Sequence, residues 1–242
     1  MKKTLVAACS LLALCASVAS AAPGIDLAWT DCGSAGTTSQ TWTCDTNTGI
    51  PFTLFASFIP PAGINQFVGI SSQMDFTSTT PVLPDWWQHG TGLCRGTAGM
   101  TISFDFTSGP IACVDPWMGA AAFGSVYNAG FVTPNRARLI VQGAIPTEEA
   151  LDPAAEYYAY KVNLQRSKTS GTGSCAGCLV PMCIVLNDCQ LFQNPAAAND
   201  PDITNPGPTG NFATWQAQSI PNCPQSTPTH NSSWGKLKSL YR

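Results

Sequence analysis

Two short segments of the chain set large aromatic rings beside carboxylates. Asp85-Trp86-Trp87-Gln88-His89 and Asp115-Pro116-Trp117 both stand in loop-like, non-periodic context. An exposed indole stacks on the apolar face of a pyranose ring while a nearby carboxylate accepts from its hydroxyls. Trp86, Trp87 and Trp117, with Asp85 and Asp115, therefore form a candidate sugar platform. The competing reading is packing, with the same rings plugging the ends of a core, since large aromatics are mostly buried. Trp29, Trp42, Trp215 and Trp234 read as packing residues.

Catalytic signatures are weaker. A glycosidase needs two acids about 5–10 Å apart. Asp75, Asp85, Asp105 and Asp115 are available, but no spacing singles out a pair. There is no Gly-x-Ser-x-Gly elbow, and the only histidines are His89 and His230. His89 is the better placed base, yet a lone loop histidine is more often structural. Asn199-Asp200-Pro201-Asp202-Ile203-Thr204-Asn205 offers oxygen ligands at short intervals, so calcium at Asp200 and Asp202 is a candidate. The segment lacks the glycine and terminal glutamate of an EF-hand, and an Asx-rich turn is the plainer reading. No other cofactor is expected.

The cysteines are the densest reactive group. Met1, Lys2 and Lys3 precede an uncharged apolar run from Thr4 to Val18, and Ala19-Ser20-Ala21 follows as a small-x-small cleavage site. This is the layout of a secretory signal peptide over residues 1–21, favoured over lipidation at Cys9 or Cys15. Cys9 and Cys15 leave with it. The other nine are Cys32, Cys44, Cys94, Cys113, Cys175, Cys178, Cys183, Cys189 and Cys223. Export favours disulfides. A local Cys32–Cys44 bridge is expected, and Cys94 and Cys113 are expected to pin the two ends of a strand to its neighbours. Nine is odd, so one thiol is left over. Cys189 is expected to be that one, because its run, Ile184 to Leu191, reads as a strand in which a thiol packs as a small hydrophobe. The alternative is a metal or redox centre at Cys175, Cys178, Cys183 and Cys189. Its spacing fits no common zinc ribbon, and Leu179 stands where a c-type haem needs histidine.

These groups need a scaffold, and composition bounds it. Charged residues are 10% of the 242, against roughly 25% in an ordinary soluble domain. Net charge is −3, and loss of Lys2 and Lys3 makes the exported chain more acidic, which argues against nucleic acid as a partner. Beyond the signal there is no apolar run of membrane-spanning length. Helical periodicity is nearly absent. Thr147 to Ala155 is the best helix candidate, interrupted by Pro153. Period-two runs dominate instead, at Phe52–Phe58, Val68–Phe76, Met100–Thr107, around Leu139 and Val141, at Tyr158–Gln165, and more apolar throughout at 183–192. Gly, Pro, Ser and Thr clusters separate them. Phe212 and Trp215 suggest one last strand after an irregular loop over 194–210. The sum is an all-β fold: a disulfide-stapled antiparallel β-sandwich, as one domain over 22–242 with an irregular C-terminal segment from 194. The basic, aromatic end from Ser233 to Arg242 reads as a terminal segment laid on that domain or as a docking tail.

Residues 52–76 run as an extended strand, a Pro-Pro-Ala-Gly turn and a strand ending in Asp75-Phe76. This resembles the opening of cohesin-like and carbohydrate-binding sandwich modules. The signal, the Gly-x-Gly-x-Cys-x-Gly-Cys segment at 171–178 and the Trp-Gly-Lys-Leu-Lys-Ser-Leu-Tyr-Arg end resemble uncharacterised secreted proteins of Gram-negative bacteria. The first resemblance implies a jelly-roll or cohesin-like sandwich, the second export; neither implies site residues. The expected function is a secreted, periplasmic or cell-surface binding or structural protein without catalysis, its partner a polysaccharide or a surface protein. A carbohydrate-active hydrolase and the cysteine-centred metal or redox protein stand as alternatives.

Overall fold

A computed structural model of the chain describes residues 22–194, 199–216 and 223. Two sheets face one another. The smaller has the order β1-β3-β8-β5, from Gly24–Trp29, Phe52–Ile59, Tyr157–Leu164 and Met100–Ser103. The larger runs β2-β11-β9-β4-β7-β6, from Ser39–Gln40, Phe212–Trp215, Met182–Gln193, Phe67–Ser78, Arg136–Glu149 and Ala122–Ala129, with β10 (Asp202–Ile203) also on β9. Every pairing is antiparallel except β2 with β11. The disulfide-stapled antiparallel sandwich read from the sequence is the observed fold. No described helix is long and apolar enough to cross a membrane.

Alternation explains which side chains meet between the layers. Phe52, Leu54, Ala56 and Phe58 share one face of β3, and Ile70, Met74 and Phe76 one face of β4; all are buried. At one end six rings close the core: Trp29, Trp42, Phe52, Trp86, Trp87 and Trp215, with centroid spacings of 4.6 to 6.5 Å. Three of the five indole N–H groups are paired, that of Trp86 with the Thr169 hydroxyl at 3.2 Å, while those of Trp42 and Trp87 have no hydrogen-bond partner among the described residues. The Trp215 indole N–H donates to Cys178 O at 2.6 Å, and that of Trp29 to Thr214 O at 3.0 Å.

Four disulfides tie loops distant in sequence: Cys32–Cys113, Cys44–Cys178, Cys94–Cys175 and Cys183–Cys223. The expected Cys32–Cys44 bridge is thus corrected. Cys44 lies instead over the aromatic end, joined to the loop between β8 and β9. Cys94 and Cys113 do tie the segments flanking β5 to neighbours, and Cys189 is the free, buried thiol.

Three further expectations change. Thr147 to Ala155 is not helical: β7 continues to Glu149 and the chain then turns, with Asp152 accepting from the Ala154 N–H. The strand expected over 100–107 stops at Ser103, because Asp105 accepts from both the N–H and the hydroxyl of Thr107 and bends the chain. Phe104 and Phe106 then meet different rings of the core, Phe104 against Trp117 and Phe106 stacked on Tyr158. Strands β1 and β6 are additions to the sequence reading. Residues 1–21, with the expected signal peptide, and 224–242, with Trp234 and His230, lie outside the described residues.

Candidate functional site

The proposed sugar platform is overturned by burial. Trp86, Trp87 and Trp117 have no exposed surface. Trp86 stacks on Trp215 at 5.1 Å and Trp117 meets Phe104 edge-on at 4.6 Å. The two acids are separated from the ring faces: Asp85 is exposed on its turn, and Asp115 accepts from the Trp117 N–H at 2.9 Å. Rings enclosed on every side cannot stack on a sugar. The packing alternative holds.

The cysteine-centred alternative fails on connectivity. Cys175, Cys178 and Cys183 are bonded to three different partners, and Cys189 is alone in the core. Among the described residues, the one convergence of three metal-type ligands is Cys32, Cys113 and Glu156, and its two sulfurs are bonded to each other. Asp200 closes its own loop by accepting from the Gln193 N–H at 2.9 Å, while Asp202 sits on β10 opposite Gln190. The two are not drawn into a shared cage.

What the structure does assemble lies along the open side of the sandwich. On the opposite side, the β1 edge is sealed by backbone bonds: Ile25 N–H to Asn205 O, Gly207 N–H to Ile25 O and Leu27 N–H to Gly210 O. Buried Asp26 fixes this seal by accepting from the Thr209 and Gly210 N–H groups. Between β5 and β6 the layers stand apart. A cleft of about 170 Å³ opens there, walled by Met100, Ile102 and Leu139, with Ser125 and Thr97 also lining it and His89 and Tyr127 below.

His89 is 3% exposed, and neither ring nitrogen has a hydrogen-bond partner among the described residues. Its ring meets Tyr127 edge-on at 5.3 Å. Burial, and then the positive charge of Arg95, push its pKa down to about 3, so at neutral pH the ring carries no charge. Arg95 is itself buried, with its guanidinium 4.1 Å above the Trp86 ring and hydrogen bonds to the carbonyls of Gly99 and Gln165. The Tyr127 hydroxyl donates to Trp87 O at 2.6 Å. His89 has no bond to Ser125 or Thr97, so the cleft holds no assembled nucleophile and base.

Beside the cleft runs β6. All of its eight residues are exposed except Tyr127, which is half-buried. Phe123 and Val126 stand 53% and 55% exposed. The strand pairs with β7 over its whole length without a bulge, and among the described residues no strand pairs with its other edge. Sequence reading missed this edge because Ala-Phe-Gly-Ser-Val-Tyr-Asn-Ala has no clean alternation. A usable signal was present: no charged residue occurs between Asp115 and Arg136.

A second polar assembly covers the outer face of the larger sheet. Asp75, 1% exposed, accepts from Arg138 Nε at 2.7 Å, from Arg136 and from Asn187 Nδ2 at 2.8 Å. Hydrogen bonding and the charges of the two arginines hold its carboxyl below the usual range despite burial. Asp188, next along β9, moves the other way, raised to about 7 by burial and then by the charge of Asp202. Both acids are bound into the ladder: Asp188 accepts from the Gln73 N–H at 3.0 Å.

No protein-family model matches the chain, no curated protein matches its sequence, and no solved structure matches its fold.

Proposed function

We propose that this is an exported, disulfide-stapled binding protein that acts without catalysis, at or outside the cell surface, by adding a strand of a partner polypeptide to the open edge of β6. One observation carries the reading: a regular, eight-residue edge strand bearing exposed Phe123 and Val126 and no charge. Soluble proteins ordinarily blunt such an edge with lysine, proline, a bulge or a covering loop, since its unpaired N–H and C=O groups template pairing. Strand addition uses those groups for affinity and alternate side chains for specificity. Four disulfides are compatible with the oxidising compartment that the expected signal peptide implies. Enclosure of the tryptophans favours a protein over a polysaccharide as the partner.

The test is amide hydrogen exchange over 122–129 in the mature, oxidised protein. Solubilised envelope protein should slow the outward-facing amides, whereas cellulose, chitin or peptidoglycan should leave them unchanged. Release of reducing ends from any of those polysaccharides would overturn the non-catalytic reading. Fast exchange of the edge amides in the presence of envelope protein and at every protein concentration would overturn strand addition.

A further inference from the structure

Resting on that reading, we infer that the strand added to β6 is β6 of a second copy of this chain, antiparallel across a two-fold axis at Ser125. The β1 edge is sealed by the loop over 205–210. Strands β2 and β10 are two residues long, and β5 is four. Among the described residues β6 is the one long edge left open, and it joins β7 in an unbroken register of eight pairs.

Self-pairing imposes two demands, and β6 meets both. An isologous contact sets each group near the axis against its own copy, so a charge there would repel itself. There is none from Pro116 to Asn135, and the nearest arginines on β7, Arg136 and Arg138, are held by Asp75. A two-fold normal to the sheet also keeps inner faces aligned only if paired residues have the same parity, so the axis must fall on a residue. Placed on Ser125, it sets Phe123 opposite Tyr127 of the second copy on the inner face. It sets Gly124 opposite Val126 on the outer face. The aromatic pair then forms twice, and each exposed Phe123 ring, already stacked on Phe104 at 5.1 Å, gains a second ring beside it. Shifting the axis to Val126 would set Phe123 against Ala129 and lose both pairs. Two sheets joined this way make one continuous sheet with neither β6 edge exposed.

The register gives a charge-swap test. Ser125 faces the cleft on the inner side but is exposed, so Ser125→Lys and Ser125→Asp place a solvated charge at the edge. Light scattering on the mature, oxidised wild type should give the mass of two chains. Either variant alone sets like charges across the axis and should weaken self-association about tenfold or more. An equal mixture of the two should restore the two-chain mass, with one chain of each kind. A one-chain mass for the wild type, undiminished association of either variant alone, or failure of the mixture to recover would overturn the proposal. If the wild type is one chain but envelope protein still slows the β6 amides, the second copy fails alone. If those amides stay fast with envelope protein as well, strand addition fails with it.

Discussion

The ring of Phe104 occupies the space into which a side chain on Gly143 would project. A Cβ built on Gly143 would stand 2.3 Å from the ring. Gly143 lies on the inner face of β7, opposite Phe123 of β6 and Ile70 of β4. The glycine thus makes room for the Phe104 ring, which stacks on Phe123 at 5.1 Å. Gly143→Val should displace that ring and cost about 1–3 kcal/mol, as overpacking does. Denaturant unfolding measures the loss, and a stability equal to wild type would contradict the contact.

Enclosure of the tryptophans gives a second prediction. Trp86→Ala and Trp117→Ala should each cost about 3–5 kcal/mol of folding stability, because a fully buried ring leaves a cavity. Loss of sugar binding with unchanged stability would restore the platform reading.

A buried group, His89, and a half-buried one, Asp188, make the pH dependence of stability a sum of opposed slopes. His89 is held neutral in the folded state down to about pH 3. The unfolded chain takes up its proton near pH 6.5, so this group lowers stability as pH falls from 6.5 toward 3, by about 1.4 kcal/mol per pH unit at most. Asp188 is raised to about 7. It binds its proton more tightly when folded, so its contribution is greatest below about pH 4 and is lost as pH rises through 7. His89→Leu should therefore remove the acid-side loss, and Asp188→Asn should remove the loss toward pH 7 while keeping the Gln73 hydrogen bond. Melting temperatures of the two variants from pH 4 to 8 should diverge from wild type with opposite slopes. Parallel profiles would contradict both assignments.

Thiol content follows from the pairing. A chain lacking residues 1–21, and with them Cys9 and Cys15, should release one thiol when unfolded without reductant and none when native, since Cys189 is fully buried. Cutting Cys44–Cys178 by a double serine substitution should cost about 2–5 kcal/mol, because the bond closes a long loop. Two or more free thiols in the unreduced chain would contradict the connectivity.

What the sequence disclosed depended on local pattern. Strands β4 and β8 alternate because one face meets the core and the other is only partly covered; β3 alternates in sequence although only Thr53 of its eight residues is less than buried. Strand β1 carries only a short alternation, Ile25, Leu27 and Trp29 about Asp26 and Ala28, and went unread; both of its faces are buried, the outer one under the loops around Gly36 and Gly207. Strand β6 fails for the opposite reason, being exposed on both faces. Cysteine pairing was illegible because three of the four bonds join residues 81 or more positions apart, where spacing carries no geometric information. Cys189 could be singled out because its neighbours already showed a buried strand. His89 stood out as a lone base, but its burial without a hydrogen-bond partner depends on Tyr127 and Arg95, which the fold alone brings to it.

Amide hydrogen exchange over Ala122–Ala129, followed from high protein concentration down to dilutions at which light scattering reads one chain, tests the open edge most directly. Amides bonded to β7 should stay slow throughout. The outward-facing ones should be slow when the protein is concentrated and become fast on dilution. Outward amides that are fast at every concentration, or already slow in the single chain, would contradict the account.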